Sequence, residues 1–292
     1  MIGSTDHHNA SPGSHGFGRT LLWAEDLSRD SVWNALLDRF TSCATGDPIQ
    51  VMLFVDDRRM GECIPEKSAS RRVEGFVAAF DKLEKVELVK NGKVIAGEYD
   101  FKPKKDDRSG FVSCMFGWGK KHMPCIWDIR IEVKNGKLIS ASPRLRGVDM
   151  VGPLDAPKNA NDVPLFSVSD SVTMHFTTDG NPTAVTDTSQ GCVIEMEGED
   201  AILSLHVEAE WGGEKIERKF SYSIEDLKAG QNTEYIDGFV SPAIEIGQYR
   251  SSSECTCHIA YDMILDEGDS AYLRAYEKNG DGVYSSPLTV RV

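Results

Sequence analysis

Several features are scarce in this 292-residue sequence, and each scarcity excludes a class of protein. The longest apolar run, Gly75-Phe-Val-Ala-Ala-Phe80, is far too short to span a bilayer. Residues 1–18 have neither a basic start nor an apolar stretch, so they do not read as a signal peptide. Acidic residues outnumber basic ones, 46 against 32, and no stretch concentrates Lys and Arg. We therefore expect neither a membrane partner nor a nucleic-acid partner.

Two common catalytic motifs are also absent from the sequence. It contains no Gly-rich phosphate loop followed by Lys-Ser/Thr and no Gly-x-Ser-x-Gly elbow. These absences exclude the common nucleotide-hydrolase and serine-esterase interpretations.

The cysteines are odd in number and widely scattered, so they do not form a disulfide framework: Cys43, Cys63, Cys114, Cys125, Cys192, Cys255 and Cys257. Cys255 and Cys257 flank a single residue, and only His258 is a local third ligand for a metal. Buried free thiols are the favoured interpretation of this pair, and a metal site is the alternative.

The hydrophobic content of 40% and the charged content of 27% are ordinary for a soluble globular protein. From Pro48 onward, short β-type runs alternate with Gly-rich and Asn-rich turns, a pattern typical of antiparallel β-sandwiches. Asn-Gly turns at 91–92 and 135–136 each predict a β-hairpin. The predicted strands are 49–55, 71–79, 86–90, 93–96, 129–133, 137–139, 172–177, 192–196, 201–209, 216–222, 257–263, 271–277 and 283–292, with one helical turn near 223–227.

The first segment, 1–46, has a different pattern. Residues 1–5 are predicted as the end of a strand and 6–19 as a loop, followed by a helix capped by Ser28, with Leu27 stapled onto Val32. Apolar side chains then recur at helical spacing to about Phe40: Val32, Trp33, Leu36, Leu37 and Phe40. A strand, a loop and one helix cannot close a core, so this stripe predicts core packing or a docking surface.

The sequence predicts three regions. They are 1–46, a β-sandwich over 47–150, and a second β-rich domain or insertion over 151–264, with 147–165 as a linker or long loop. If strands in 271–292 pair with the 86–96 hairpin, the first sandwich is discontinuous and is completed by 265–292.

The opening motif carries the strongest family signal. Gly3-Ser-Thr-Asp6-His7-His8-Asn9 is followed in order by Pro12-Gly13, Leu22-Trp-Ala-Glu-Asp-Leu27 and Thr41-Ser-Cys-Ala-Thr-Gly46. This order resembles the end of a PHP domain (polymerase and histidinol phosphatase), a family of metal-dependent phosphoesterases on a distorted (β/α)7 barrel. Arg72 onward, the 86–93 hairpin and the terminal strands resemble the β-rich extension that follows the barrel in one subgroup. The resemblance covers residues 1–100 and 270–292.

The resemblance implies a fold and a set of metal ligands. The fold would be mainly β, with antiparallel β-sandwich domains preceded by a strand-loop-helix remnant of the barrel. Asp6 and His8 would be ligands of a cluster of divalent Mn, Zn or Fe ions in the intact parent, which activates water toward a phosphoester. His7, His15 and Arg19 are candidates for holding a metal ligand in place or for contacting a bound phosphate. The other ligands of such a cluster are absent from this sequence, so we expect a missing N-terminal barrel segment or a partner surface.

Other candidate residues have plainer interpretations. His122, near Trp118, Cys125 and Trp127, is interpreted as a loop residue beside core aromatics, with a cofactor pocket as the alternative. His175 and His206 are interpreted as satisfied strand histidines. Asn279-Gly-Asp-Gly282 resembles part of a calcium loop but lacks its ligand spacing, so a hairpin turn is favoured. Trp118 and Trp211 would line a sugar-binding face if they were exposed.

Two hypotheses follow from the sequence. In the first, the chain is the C-terminal portion of a PHP-like metal-dependent hydrolase and is not catalytic alone, since two ligands bind metal weakly. In the second, it is a non-catalytic β-sandwich accessory module for binding, docking or oligomerisation. A homo-oligomer is compatible with both hypotheses.

Overall fold

The structure is a computed structural model that describes residues 1–4, 17–65, 70–117, 123–145, 165–178 and 189–291. It is mainly β, with several antiparallel sheets, as the sequence predicted. The described residues form two compact units. Unit 1 contains residues 1–4, 17–65, 70–105 and 253–291, and unit 2 contains 106–117, 123–145, 165–178 and 189–252. The units therefore divide at Lys105 and Ser253, whereas the sequence pattern suggested boundaries near 46, 150 and 264.

The first part of unit 1 contains β1 (Arg19–Leu22), α1 (Arg29–Leu37), β2 (Thr41–Ala44), β3 (Gln50–Val55), β4 (Arg58–Arg59), β5 (Cys63–Ile64), β6 (Arg71–Ala78), β7 (Leu83–Lys90) and β8 (Lys93–Glu98). Unit 2 contains β9 (Ser109–Gly117), β10 (Cys125–Lys134), β11 (Lys137–Arg144), β12 (Leu165–Val168), β13 (Val172–Thr178), β14 (Gln190–Glu197), β15 (Ile202–Trp211), β16 (Glu214–Ser223), α2 (Ile224–Ala229), β17 (Asn232–Tyr235), β18 (Ala243–Ile246) and β19 (Arg250–Ser251). The chain returns to unit 1 through α3 (Ser252–Cys255), followed by β20 (Thr256–Met263), β21 (Ser270–Glu277), β22 (Gly282–Ser285) and β23 (Leu288–Val290).

Unit 1 contains two sheets. The larger follows the order β1-β2-β22-β21-β23-β5, with β7 also paired to β21 and β8 to β7, and the smaller follows β20-β6-β3-β4. The pairing of the 86–96 hairpin with the terminal strands is therefore present, for example at Leu88 and Leu273. A Cβ added to Gly75 of β6 would lie 2.8 Å from Leu273 Cδ2, so the two sheets approach closely at this glycine.

Residues of the first segment are part of this larger sheet. β2 pairs with β22, so Ser42 lies opposite Ser285. Residues 1–4 are not a strand, contrary to the prediction; instead the Gly3 N–H and C=O both hydrogen-bond the Thr20 hydroxyl. These bonds satisfy the backbone of Gly3 without a strand partner. The interpretation of this segment as a barrel remnant stays a prediction.

α1 begins where its capping residues predicted. Ser28 is the N-cap and its side chain accepts the N–H of Ser31. The helix ends at Leu37 because Arg39 adopts a left-handed φ of 57°, and the N–H of Phe40 then reaches the carbonyl of Ala35. The predicted staple of Leu27 onto Val32 is wrong, since Leu27 is 97% exposed.

Unit 2 contains two sheets. The five-stranded sheet has the order β12-β13-β10-β15-β16. In the six-stranded sheet, neighbouring strands follow the order β11-β14-β9-β18-β17, and β19 also pairs with β9. Both sheets contribute side chains to one core, which includes Phe116, Trp127 and Phe176. The indole N–H of Trp127 donates to Thr178 Oγ1 at 2.8 Å, so its one polar atom is satisfied in the core. Burial of each such large side chain contributes about 1.5–3 kcal/mol.

The predicted hairpin at Asn135-Gly136 is wrong. β10 pairs with β13 and β15, whereas β11 pairs with β14 in the other sheet. The turn has the expected backbone, with Asn135 at φ 53°, but a turn sequence does not decide which partner each strand selects. Gly136 also packs closely, since an added Cβ would lie 2.6 Å from Ala201 Cβ.

The helices after residue 46 are short. α2 was predicted, and it carries a full capping box between Ser223 and Asp226. α3 was not predicted, because four residues are too few to show a helical period. Among the described residues, no helix has both the length and the apolar character needed to cross a membrane.

Candidate functional site

The metal ligands implied by the sequence fall outside the described residues. Asp6 and His8 do so, together with His7 and His15, which were candidates for supporting the ligands or contacting phosphate, and also Trp118 and His122. Arg19 is the one member of the predicted set that the structure describes, and it begins β1 in unit 1. Burial lowers the pKa of Arg19, while the nearby carboxylates of Asp47 and Asp281 oppose that shift. Arg19 is therefore part of the environment of an acidic cluster.

The acidic cluster consists of Asp47, Glu277 and Asp281 in unit 1. One carboxylate oxygen of each lies within 4.8 Å of the others. Asp47 is 1% exposed and Glu277 is fully buried. Three carboxylates held this close repel one another, so the protein must supply donors or a cation to compensate them.

Two turns bring these side chains together. Asp47 follows β2, Glu277 ends β21, and Asp281 lies in the turn between β21 and β22. The Asp47 N–H donates to Asp281 Oδ2 at 3.0 Å. Gly46 has a φ of 57°, and an added Cβ would lie 2.1 Å from the Asp281 carboxylate, so glycine is required at this position.

The protein itself supplies many of the donors. Glu277 Oε1 accepts the backbone N–H groups of Phe80 at 2.7 Å and Asp81 at 3.0 Å. The Asn279 amide donates to Glu277 Oε2 at 3.2 Å and to Asp47 Oδ2 at 3.3 Å. Carboxylate oxygens are the ligands that Ca²⁺ and Mg²⁺ prefer, so the donor set has suitable chemistry. The geometry equally describes a structural network that joins three turns.

Sequence reasoning found only part of this cluster. Asn279-Gly-Asp-Gly282 was interpreted as a hairpin turn, and the structure places it in the turn that joins the paired strands β21 and β22. The roles of Asp47 and Glu277 were missed, because Asp47 is distant in sequence from the turn. The signal in the sequence was the calcium-like turn Asn279–Gly282, which directly follows Glu277 at the end of a predicted strand.

A groove of about 680 Å³ lies on unit 2, lined by residues of β10, β12, β13 and β15. His175 and His206 both contribute to it, and each is paired with a carboxylate as expected of satisfied strand histidines. His175 Nδ1 lies 2.7 Å from Asp128 Oδ1, and His206 Nε2 lies 2.8 Å from Glu217 Oε1. Leu165 adds an apolar wall that is 62% exposed. Polar and apolar side chains therefore line the groove together.

All seven cysteines are free thiols. The interpretation of Cys255 and Cys257 as buried free thiols is confirmed for Cys255, whereas Cys257 is only half-buried. Cys255 ends α3 and Cys257 lies in β20. Burial raises the pKa of Cys125 and of Cys192 to about 12, so both stay protonated at neutral pH. Trp211, the described member of the proposed sugar-binding pair, packs partly against the core of unit 2.

α1 has an apolar outer face. Trp33 is 59% exposed and Leu37 61%, whereas Ala35 on the inner side is buried. Leu27, just before the N-cap, is 97% exposed. The described residues of the chain therefore leave much of the predicted stripe uncovered.

Comparison with known proteins yields one relative and no family. An uncharacterised protein of Chlamydia muridarum (strain MoPn / Nigg) is 26% identical over 136 residues, which cover 43% of this chain and 22% of that protein. The chain thus spans well under two thirds of this relative's length. No protein-family model and no solved structure matches the chain.

Proposed function

We propose that this chain is a non-catalytic, β-rich accessory region with a docking role, and that the outer face of α1 is its contact. The observation that carries the proposal is the exposure of Trp33 and Leu37, one turn apart on α1, together with Leu27 just before the N-cap of the helix. Large apolar side chains grouped on a surface are typical of protein interfaces, and Trp is enriched among the residues that contribute most to binding. Covering each of these side chains would contribute up to about 1.5–3 kcal/mol.

We propose that α1 binds α1 of a second copy of the chain. Charges of both signs lie at each end of the helix: Arg29 and Asp30 at the start, Asp38 and Arg39 at its end. In an antiparallel pair the start of one helix faces the end of the other, so each Asp would meet an Arg. Asp38 already pairs with Arg59 at 3.0 Å, and Arg39 hydrogen-bonds Cys63 within its own chain, so the complementary pair across the dimer would be Asp30 with Arg39 in addition to that bond. Because α1 has only nine residues, the contact is small and the dimer should be weak, with a Kd of roughly 10 μM to 1 mM.

Sedimentation velocity over a range of protein concentrations tests this docking role. We expect a concentration-dependent dimer that a Trp33→Ser, Leu37→Ser double variant abolishes without unfolding, since both side chains point outward. Phe239→Ser is the matched control, because Phe239 is 84% exposed but lies in unit 2. A monomer at every concentration, or a dimer that the double variant leaves intact, would refute self-docking through α1.

We further propose that each unit is a β-sandwich. In unit 2 the shared core of the two sheets supports this architecture, and in unit 1 the approach of Gly75 to Leu273 supports it. Sandwich modules serve docking and recognition in many proteins, which is an argument by analogy of fold.

A second candidate function is that of the C-terminal portion of a PHP-like metal-dependent hydrolase. Its support is the order of motifs within residues 3–46, in which Asp6 and His8 would be surviving ligands of a Mn, Zn or Fe cluster. The match to a minor part of a longer relative supports a role within a larger protein. Metal-activated water would attack a phosphoester in the intact parent.

Metal analysis and a phosphoester assay test the hydrolase candidate. We expect this chain alone to show no hydrolysis with added Mn²⁺ or Zn²⁺ and no stoichiometric metal. An upstream reading frame that encodes His-x-His and βα units would support a hydrolase parent. A purified parent with no bound metal and no hydrolysis would refute it.

A further inference from the structure

Two buried cysteines face each other across neighbouring strands of unit 2. Cys114 of β9 and Cys192 of β14 are register partners in an antiparallel pair. Both side chains are fully buried and belong to the same core. Among the seven scattered cysteines, folding has therefore placed two at directly opposed positions.

The backbone identifies the type of position they share. The carbonyl of Ser113 accepts the N–H of Gly247 at 2.8 Å, so Ser113 directs its backbone groups away from β14. Successive residues of a strand alternate, so Cys114 directs its own backbone groups toward β14. Opposed residues at such hydrogen-bonded positions have Cα atoms about 5.5 Å apart, which lies within the range of about 4.4–6.8 Å that a disulfide spans. Their Cβ atoms lie up to about 5.5 Å apart and would have to approach by about 1 Å to reach the roughly 3.5–4.5 Å of a disulfide.

We propose that Cys114 and Cys192 are a disulfide site that closes when the chain folds in the presence of a low-molecular-weight disulfide such as oxidised glutathione. One cysteine thiolate attacks a glutathione sulfur, forming a mixed disulfide and releasing one glutathione thiolate. The second cysteine thiolate then attacks the sulfur of the first and releases the other glutathione. The two cysteines lose two electrons and two protons, and one glutathione disulfide is reduced.

The same burial determines when this reaction occurs. In the folded protein, burial raises the pKa of both thiols, that of Cys192 to about 12, so few thiolates form and oxidants are excluded. The bond therefore closes before β9 and β14 are covered. Once closed, it is shielded from reductants by the same core.

The bond would link the second and third strands of the six-stranded sheet. It would close a loop that includes all of β10 to β13. A cross-link of that length restricts the unfolded chain strongly, so the oxidised form should be the more stable one. Cys125 lies in the same core but on the other sheet, where no cysteine opposes it, so it provides a matched control.

Refolding in a glutathione redox buffer tests the proposal. The reduced, unfolded chain is refolded with reduced and oxidised glutathione or with dithiothreitol, and then analysed by intact mass and peptide mapping. We expect a mass about 2 Da lower after glutathione refolding, from the two hydrogens lost. The linked peptides should join residues 114 and 192, and the thermal midpoint should rise by roughly 5–10 °C. Native reduced protein should oxidise at least about tenfold more slowly than the refolding chain.

Variants separate this pair from other thiols. Cys125→Ala should retain the linked peptide, whereas Cys114→Ala and Cys192→Ala should each lose it. Peptide mapping of the unsubstituted chain tests for the link directly, so the test remains valid even if a variant fails to fold. Absence of the 114–192 link, links spread over all seven cysteines, or a lower thermal midpoint in the linked form would overturn the proposal.

Discussion

Asp269 should make unit 1 less stable as the pH falls into the acid range. Its carboxylate accepts from the Asn91 amide at 2.7 Å and from the backbone N–H of Asp266 at 2.7 Å, and it lies 2.7 Å from Lys90 Nζ. The side chain is only 12% exposed, so water screens these contacts weakly. The hydrogen bond from Lys90, followed by those from Asp266 and Asn91, lowers the pKa of Asp269 to about 2.

The sign and size of the effect follow from this lowered pKa. A carboxylate that titrates lower in the folded state stabilises the fold fully above its unfolded pKa of about 3.9, and the stabilisation is lost as pH falls toward 2. One pKa unit corresponds to about 1.4 kcal/mol, so Asp269→Asn should reduce the free energy of unfolding by about 1–3 kcal/mol at pH 7. The difference should shrink steadily below pH 4.

Urea unfolding of both proteins between pH 7 and pH 3, followed by hydrogen exchange of unit 1 peptides, measures this dependence. Asp262→Asn is the control, since Asp262 is 67% exposed in its 3.5 Å pair with Arg72 and should contribute under about 1 kcal/mol. A deficit of equal size at pH 3 and pH 7, or none at pH 7, would refute the reasoning.

Three further predictions concern the acidic cluster and the groove, and urea unfolding measures each. Glu277→Gln should cost about 1–3 kcal/mol, because its amide would meet the Asn279 amide donor to donor; a variant of unchanged stability would contradict this role. Gly46→Ala should destabilise more than Gly92→Ala, since both have positive φ but only Gly92 has open space around it; equal losses would contradict the close approach. His206→Ala should cost under about 1 kcal/mol, as its pair is exposed, and a loss above about 2 kcal/mol would contradict that view.

Local features of the fold were predictable from the sequence. Ser28 and the Ser223 capping box mark helix starts because caps act within one turn of chain. Alternating apolar residues identified most strands, since a two-residue period reports burial of one face. The hairpin at Asn91-Gly92 formed, with Asn91 at φ 49°.

The same reasoning failed where distant partners compete. Asn135-Gly136 has the same turn chemistry as Asn91-Gly92, yet β10 and β11 lie in different sheets. Leu27 has the spacing of a staple, but none of the described residues covers it. Turn and spacing signals report on a few neighbouring residues. The partner that a strand pairs with depends instead on which apolar sheet faces pack into the same core.

The sequence by itself determined that this protein is mainly β, where its main helix starts and that it carries no bilayer-spanning apolar run. Only the tertiary structure decided that Asp47 lies beside Glu277 and Asp281, that Cys114 opposes Cys192, and that Trp33 remains exposed. Secondary-structure propensity and helix capping act over a few residues, so the same local pattern gives the same local structure in any chain. Contacts between distant residues depend on strand register and on which apolar surfaces pack together and exclude water. No short stretch of sequence determines either.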